Sequence, residues 1–430
     1  MNRSAVKWLY EQLPDLVAKR VISTETAERI RGYYGPLPQG LGRRTLMVSF
    51  GLIGALLVGL GIMLIIGHNW DRLDHLTRLF ISLGVLVTAQ VAAGLVLWRK
   101  KEDASWLEEG TAVFLTLAIG ASIALVGQTY HLVDDFNNYI LVWMLLTLPL
   151  VYLMDAKGVA GLYLFGVVIW TTSVEYHGSM QYWAWMLMAL ILPYYGKLLK
   201  NGRYANPTVL LSWLLVFTVL SCFYLTGNKR LWELLYASLL SCISFVGLIW
   251  FGEAERAWQR PFQTVGLLGG MGLSYFLSFK WPWVAFTYRW AYPVSQAEYL
   301  LISGLFVLAI FFGLLLMKRG LTTSIPLGMY PAVIGGGYLL QTVNRNGTYA
   351  AILVNLYLLW ISVGFILRGV RETRLGSLNT GMLMLGVLIL FRFFDFSYSF
   401  YVRGIVFILL GAVFLAVNLI MSRRKDGVQG

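Results

Sequence analysis

Long apolar runs separated by short polar ones dominate the chain. The apolar runs fall at 45–67, 76–98, 111–131, 138–154, 158–176, 181–199, 207–226, 232–252, 261–279, 298–317, 325–343, 347–367, 376–394 and 401–421, bounded by charged residues, Pro or Asn-Gly. A hydrocarbon core about 30 Å thick takes roughly 20 apolar residues of α-helix per crossing, so the pattern predicts an all-α, polytopic transmembrane bundle of about fourteen spans. The fourth run is short and carries Pro149, and only Asp155 to Lys157 separates it from the fifth, so a count from about twelve to fourteen fits the pattern. Short loops make sequence neighbours antiparallel neighbours in space. The exception is the segment from Lys280 to Ala297, long enough for an interfacial or re-entrant element.

Residues 1–42 depart from this pattern. Trp8, Leu9, Leu13, Leu16 and Val17 recur at helical spacing, while Pro14 must sit in an early turn, kink the helix or divide it. Ser23 or Thr24 caps a second helix with Glu25 and Glu28 in its first turns, and Gly35-Pro36 stops it. The expected organisation is a cytoplasmic helical hairpin at 1–42, a transmembrane domain at 43–422 and a basic cytoplasmic tail at 423–430. A hairpin of about 40 residues is too small to hold a core alone. It therefore docks on the membrane domain, a second copy or a cytoplasmic partner, as a regulatory or assembly module, or it serves only as an orientation-setting extension.

Composition agrees with the span pattern. Of 430 residues, 58% are hydrophobic and 13% charged, and the mean hydropathy is +0.68; soluble domains lie well below this range. The net charge of +13 would suggest nucleic acid in a soluble chain. Here it reflects loops that hold the chain's orientation and face anionic lipid, so membrane lipids are expected partners and nucleic acid is not. With fourteen spans and both termini cytoplasmic, 25 of the 34 Lys and Arg fall on the cytoplasmic side. A miscounted span would exchange every later loop and erase that asymmetry. The two cysteines, Cys222 and Cys242, lie in apolar runs without CxxC spacing, which excludes a disulfide framework and a thiolate metal site.

Small residues at spacing four, such as Gly120 with Ala124 and Gly266 with Gly270, predict close helix crossings. Pro149, Pro193 and Pro331 interrupt spans and mark candidate discontinuous helices. The middle of the bilayer is nearly free of ionisable residues. Gln90 and Asn355 lie deep and read as interhelical hydrogen-bonding groups, and the absence of a carboxylate or histidine relay argues against a proton-driven pump.

The outer ends of the spans hold the candidate chemistry. All four histidines fall there, in His68-Asn69-Trp70-Asp71, at His75, in Gln128-Thr129-Tyr130-His131 and in Glu175-Tyr176-His177, with Asp134 and Asp135 close by. If these tips converge, imidazoles and carboxylates face one pocket. Such a pocket can hold a headgroup, coordinate a metal or share acid and base roles. For each histidine alone, an interfacial or helix-ending role is the plainer reading. There is no HExxH and no local zinc spacing, so no metal and no cofactor is expected. Arg392 and Arg403 are candidate anion contacts, although Arg392 and Asp395 can equally neutralise one another. The segment from Trp281 to Tyr292 interleaves rings with cations, as an interfacial belt or a stacking surface for headgroups. Glu233 and Glu298 each start a helix and complement its dipole. Leu340-Gln341-Thr342 resembles Gly127-Gln128-Thr129, too short a match to establish a repeat.

The pattern from Leu9-Tyr10 to Tyr34-Gly35, the glycine-rich first span ending in Asn69-Trp70, and Gly127-Gln128-Thr129-Tyr130-His131 carry a resemblance. The chain resembles, over roughly its first 150 residues, a bacterial family of predicted polytopic inner-membrane proteins with a short helical N-terminal region and no assigned chemistry. The resemblance implies a multi-pass protein of the bacterial inner membrane. Three functions fit. The first is a transporter or flippase for an amphiphilic or lipid-linked envelope ligand. The second is a membrane-embedded enzyme acting at the outer face on an envelope lipid or glycan, with His131, His177 and nearby carboxylates as acid and base. The third is a non-catalytic assembly or sensing protein acting through residues 1–42.

Overall fold

The computed structural model describes residues 3–34, 73–99, 105–130, 135–174, 183–226, 231–254, 256–289, 296–321, 325–343 and 345–395, with scattered positions from 401 to 412. Among the described residues the regular elements are all helical. The spans expected at 45–67 and 401–421, and the tail at 423–430, lie outside them or nearly so. Two compact units divide the chain, residues 1–81 and residues 82–430.

In the first unit, α1 (Arg3–Ala18) and α2 (Thr24–Tyr34) form a hairpin. Pro14 neither ends nor divides α1. The Ser23 hydroxyl accepts from the Thr26 backbone nitrogen at 3.1 Å and so closes the start of α2. Tyr10 donates from its hydroxyl to the Arg31 carbonyl across the pair (3.1 Å), and Leu13 and Ala27 are buried.

Twelve further stretches of the apolar pattern appear as separate helices: α3 (His75–Arg99), α4 (Ser105–Tyr130), α5 (Phe136–Leu153), α6 (Lys157–Val174), α7 (Trp183–Gly202), α8 (Asn206–Thr226), α9 (Trp232–Phe251), α10 (Pro261–Leu277), α12 (Gln296–Lys318), α13 (Tyr330–Val343), α14 (Thr348–Arg371) and α15 (Leu375–Asp395). A nine-residue helix, α11 (Trp281–Arg289), occupies the long loop. Nine of the described helices are long and apolar enough to cross a membrane. The protein is a multi-pass helical membrane protein. Asp155 settles the doubtful boundary between the fourth and fifth runs: it sits at a positive φ of 49° between α5 and α6, and a residue in that left-handed region cannot continue the helix.

The membrane helices pack into two large cores. The first joins α3 to α8 and is centred on Met144, Tyr163, Leu164, Ile191 and Tyr194. The second joins α9, α10, α11, α13, α14 and α15 around Trp283, Tyr330, Val354 and Leu358. Val216 and Phe223 of α8, Leu235, Leu239 and Ile243 of α9, and Ile302 of α12 form a smaller cluster at their junction.

The expected small-residue crossings are present, most closely in the second core. A Cβ at Gly266 would stand 2.5 Å from the Ser244 backbone nitrogen of α9, and one at Gly247 would strike the backbone of Gln263. Gly369 and Gly381 do the same for α14 and α15. In lipid, where tails are as apolar as side chains, this backbone approach supplies the packing attraction that water supplies to a soluble core. Pro149 and Pro193 lie inside continuous helices. Pro331 lies in the first turn of α13, which is preceded by a 3-10 turn at Pro326–Gly328, with Met329 between them in αR conformation.

Candidate functional site

Most of the residues expected at the outer ends of the spans lie outside the described residues: His68, Asn69, Trp70, Asp71, His131, Asp134, Glu175, His177 and Arg403. The described members are His75, Gln128, Tyr130, Asp135 and Arg392. His75 is the exposed first residue of α3, preceded by Asp74, whose carboxylate accepts from the Thr77 nitrogen at 3.4 Å. Hydrogen bonding to the Thr77 side chain, with a smaller part from its backbone nitrogen, holds the exposed Asp74 carboxyl below its ordinary pKa of 3.8. Gln128 and Tyr130 are exposed in the last turn of α4, on either side of the buried Thr129. Asp135 is the N-cap of α5: it accepts from the backbone nitrogens of Asn137 (3.0 Å) and Asn138 (3.3 Å) and from the Asn138 side chain (2.7 Å). Its carboxylate is thus engaged in capping the start of a helix. Asn355 is an interhelical donor as the sequence suggests, whereas Gln90 is exposed on α3.

Arg392 belongs to a different cluster, gathered around the C-terminal end of α10. The last carbonyls of a helix have no partner within it and carry the negative end of its dipole. Here the Leu277 carbonyl receives the Trp283 indole nitrogen at 2.8 Å, and the Ser278 carbonyl receives the Asn355 amide at 2.8 Å. Arg392 donates to the Ser278 hydroxyl at 3.1 Å, and its guanidinium carbon lies 4.9 Å over the Phe279 ring. The cation therefore complements a helix terminus.

The same cluster holds the start of the aromatic loop. Trp283 is 1% exposed. Its ring packs against Tyr338 at a centroid distance of 5.5 Å and fills the space where Gly337 lacks a side chain. Short α11 thus buries Trp283 and Phe286 against the bundle, as a re-entrant element does, while Trp281 remains exposed. Gln341, also 1% exposed, donates to the carbonyls of Trp283 (3.0 Å) and Arg345 (2.9 Å). Buried Glu233 accepts from the Tyr338 hydroxyl at 2.7 Å in the first turn of α9, the structural role expected of it. The side chain of Glu298 lies outside the described residues.

The 3-10 turn before α13 is the other distinctive site. Carbonyls of such a turn that the helix does not engage find hydrogen-bond donors from protein or water. The Gly328 carbonyl receives the Ser241 hydroxyl at 2.7 Å, midway along α9, and the Pro326 carbonyl receives the Tyr357 hydroxyl at 2.9 Å. Tyr330 is fully buried and donates to the Gly266 carbonyl at 3.1 Å. Two hollows flank the turn. One of about 210 Å³ lies toward α14, between Pro326, Leu327, Trp360, Phe365 and Arg368. One of about 290 Å³ lies between α9, α12 and the start of α13, and its lining is almost wholly apolar. Sequence reasoning marked Pro331 but not Ser241 or Tyr357, because a hydroxyl inside an apolar run looks the same whether it satisfies its own helix or a neighbour.

At the opposite ends of α4 and α6, Glu109 accepts from the backbone nitrogens of Lys157 (3.0 Å) and Gly158, capping α6. Asp155 pairs with Lys197 at 3.0 Å. The described residues contain no group of three or more His, Cys, Asp or Glu able to hold a metal ion.

No curated protein and no solved structure matches the chain. A family match exists at the N-terminal end, where Tyr34-Gly35, Asn69-Trp70 and Gly127 to His131 all lie inside the matched stretch: residues 14–160 fit the model of the family described as Predicted membrane protein (DUF2157).

Proposed function

We propose that the protein is a transporter or flippase-like protein of the bacterial inner membrane, both termini cytoplasmic, that handles an amphiphilic or lipid-linked ligand. The observation that carries this reading is the 3-10 turn that opens into α13 beside an apolar hollow. Transporters commonly build their sites at discontinuous helices, where a short helix can rock against a fixed neighbour. Here the fixed neighbour is α9, whose Ser241 holds the Gly328 carbonyl. The larger hollow beside the turn is apolar rather than lined with charge, which suits a chain-bearing ligand better than an ion.

The test is lipid movement by the full chain in sealed vesicles. Fluorescent phospholipid on both leaflets is treated with a reductant that does not cross the membrane. Loss of substantially more than half the signal, above protein-free vesicles, is the expected result. Unchanged protection, across phospholipids with different headgroups, would remove the reading.

A further inference from the structure

Phe306, Ala309, Ile310, Gly313, Leu314 and Met317 recur along α12 at spacings of three and four and so share one side of that helix. This stripe is one wall of the 290 Å³ hollow; Phe245 of α9 and the 3-10 turn at Gly328 supply the other. At 1.5 Å per residue the stripe is about 17 Å long, close to the depth of one leaflet in a core about 30 Å thick. Leu314 and Met317 are each 53% exposed, so the hollow opens sideways, where lipid stands.

The stripe ends beside Lys318 and Arg319, both exposed. Arg319 donates to the Ile249 carbonyl at 3.1 Å and Arg203 to the Trp250 carbonyl at 2.7 Å, so cations gather around the last turn of α9. Glu253, exposed just beyond that turn, leaves the charge there in positive excess. An acyl chain gains little by leaving the bilayer for an equally apolar groove. The groove therefore fixes where a chain lies, and the choice among lipids falls to the headgroup.

We propose that the α9, α12 and α13 groove binds one acyl chain of an anionic glycerophospholipid whose phosphate meets Lys318 and Arg319. The proposal deepens the transport reading by naming the ligand class at the same hollow. Its test measures binding alone. The full chain is placed in phosphatidylcholine nanodiscs with a trace of phosphatidylglycerol carrying a photoreactive group on one acyl chain, and the adducts are mapped by peptide mass. Adducts concentrated at 306–317 and 325–332 are expected, with phosphatidylcholine bearing the same group labelling far less. Lys318→Gln should lower phosphatidylglycerol labelling roughly fivefold, the effect of removing one cation near an anionic surface. Gly313→Leu should abolish it, because a Cβ there lies 3.7 Å from the Phe245 ring and a longer side chain enters the groove. If Gly313→Leu fails to fold, Lys318→Gln at an exposed position still decides. Equal labelling by the two lipids, or adducts spread over every lipid-facing helix, overturns the proposal. Selective labelling without lipid movement in vesicles would overturn only the transport reading, and movement without selective labelling only this one.

Discussion

The two large cores solve the same problem in different ways. In the first, from α3 to α8, helices are separated by side chains, and aromatic hydroxyl and indole groups reach across to carbonyls already bonded within their helix: Trp143 to Thr116 (2.8 Å), Tyr163 to Leu187 (2.8 Å). The charged groups cap helix starts, as Asp135 does for α5 and Glu109 for α6. In the second core, helix backbones touch at glycines, a 3-10 turn precedes α13, and polar groups reach carbonyls at helix ends and turns, as Trp283 does at Leu277 and Ser241 at Gly328, besides carbonyls inside helices, as Tyr330 does at Gly266. A side-chain spacer can yield by rotating, whereas a backbone contact cannot. The second core should therefore be the less forgiving of the two and the one with discrete alternative packings.

The largest expected effect tests this directly. Gly266→Leu places a side chain in the backbone of α9 and should abolish folding. In the first core, Gly120→Ala meets only the Trp143 indole, at 3.0 Å, and should cost about 1 kcal/mol. Unfolding titrations in mixed micelles measure both, and equal tolerance at the two glycines would remove the contrast.

Next comes Trp283→Ala. It empties a fully enclosed site and leaves the Leu277 carbonyl without its indole donor, for a loss of about 3 kcal/mol. Trp283→Phe separates the terms, since it retains most of the packing and removes the bond, worth about 1 kcal/mol. Tyr163→Phe in the first core removes a bond to a carbonyl that keeps its helical partner and should cost about 0.6 kcal/mol, the usual value for an interhelical bond in lipid.

These positions also show what was legible from the chain. Twelve of the fourteen apolar runs became helices within a few residues of their expected limits, because bilayer thickness fixes length and charge fixes ends. The glycine seams were readable for the same kind of reason: spacing four on a helix is one face. The fate of the aromatic loop was not. Nothing local tells Trp283, buried, from Trp281, exposed; the difference is the vacancy at Gly337, some fifty residues further on. The likeness between Gly127-Gln128-Thr129 and Leu340-Gln341-Thr342 dissolves for the same reason, since Gln128 is exposed while Gln341 bonds two backbone carbonyls. Of the residues expected at the outer ends of the spans, the described ones mostly sit at helix ends, a role their sequence context allowed without distinguishing it from ligation.

Arg392→Met sharpens the contrast in polar roles. It keeps much of the bulk over Phe279 and removes the cation from the end of α10, for an expected loss of about 1 to 2 kcal/mol. Were Arg392 chiefly an anion contact, the variant would leave stability unchanged and weaken only ligand binding. In the other core, Asp135→Ala removes an N-cap and should cost about 1 kcal/mol, with Asp135→Asn recovering most of it.

The smallest effect concerns Asp74, the fully exposed carboxylate at the start of α3. Its pKa is lowered from 3.8 in the folded chain, chiefly by hydrogen bonding to Thr77. A depressed carboxyl binds its proton less readily folded than unfolded, so its contribution is complete above the unfolded value of about 3.9 and fades as pH falls through the folded value. Asp74→Asn should then lower stability slightly at neutral pH, with the gap to the parent chain closing only below about pH 4. Unfolding titrations at pH 7 and at pH 3 check the sign. A gap that widened on acidification would mean that the carboxylate is strained rather than supported by the turn it caps, and the acidic helix starts could no longer be set against the cationic helix end at α10.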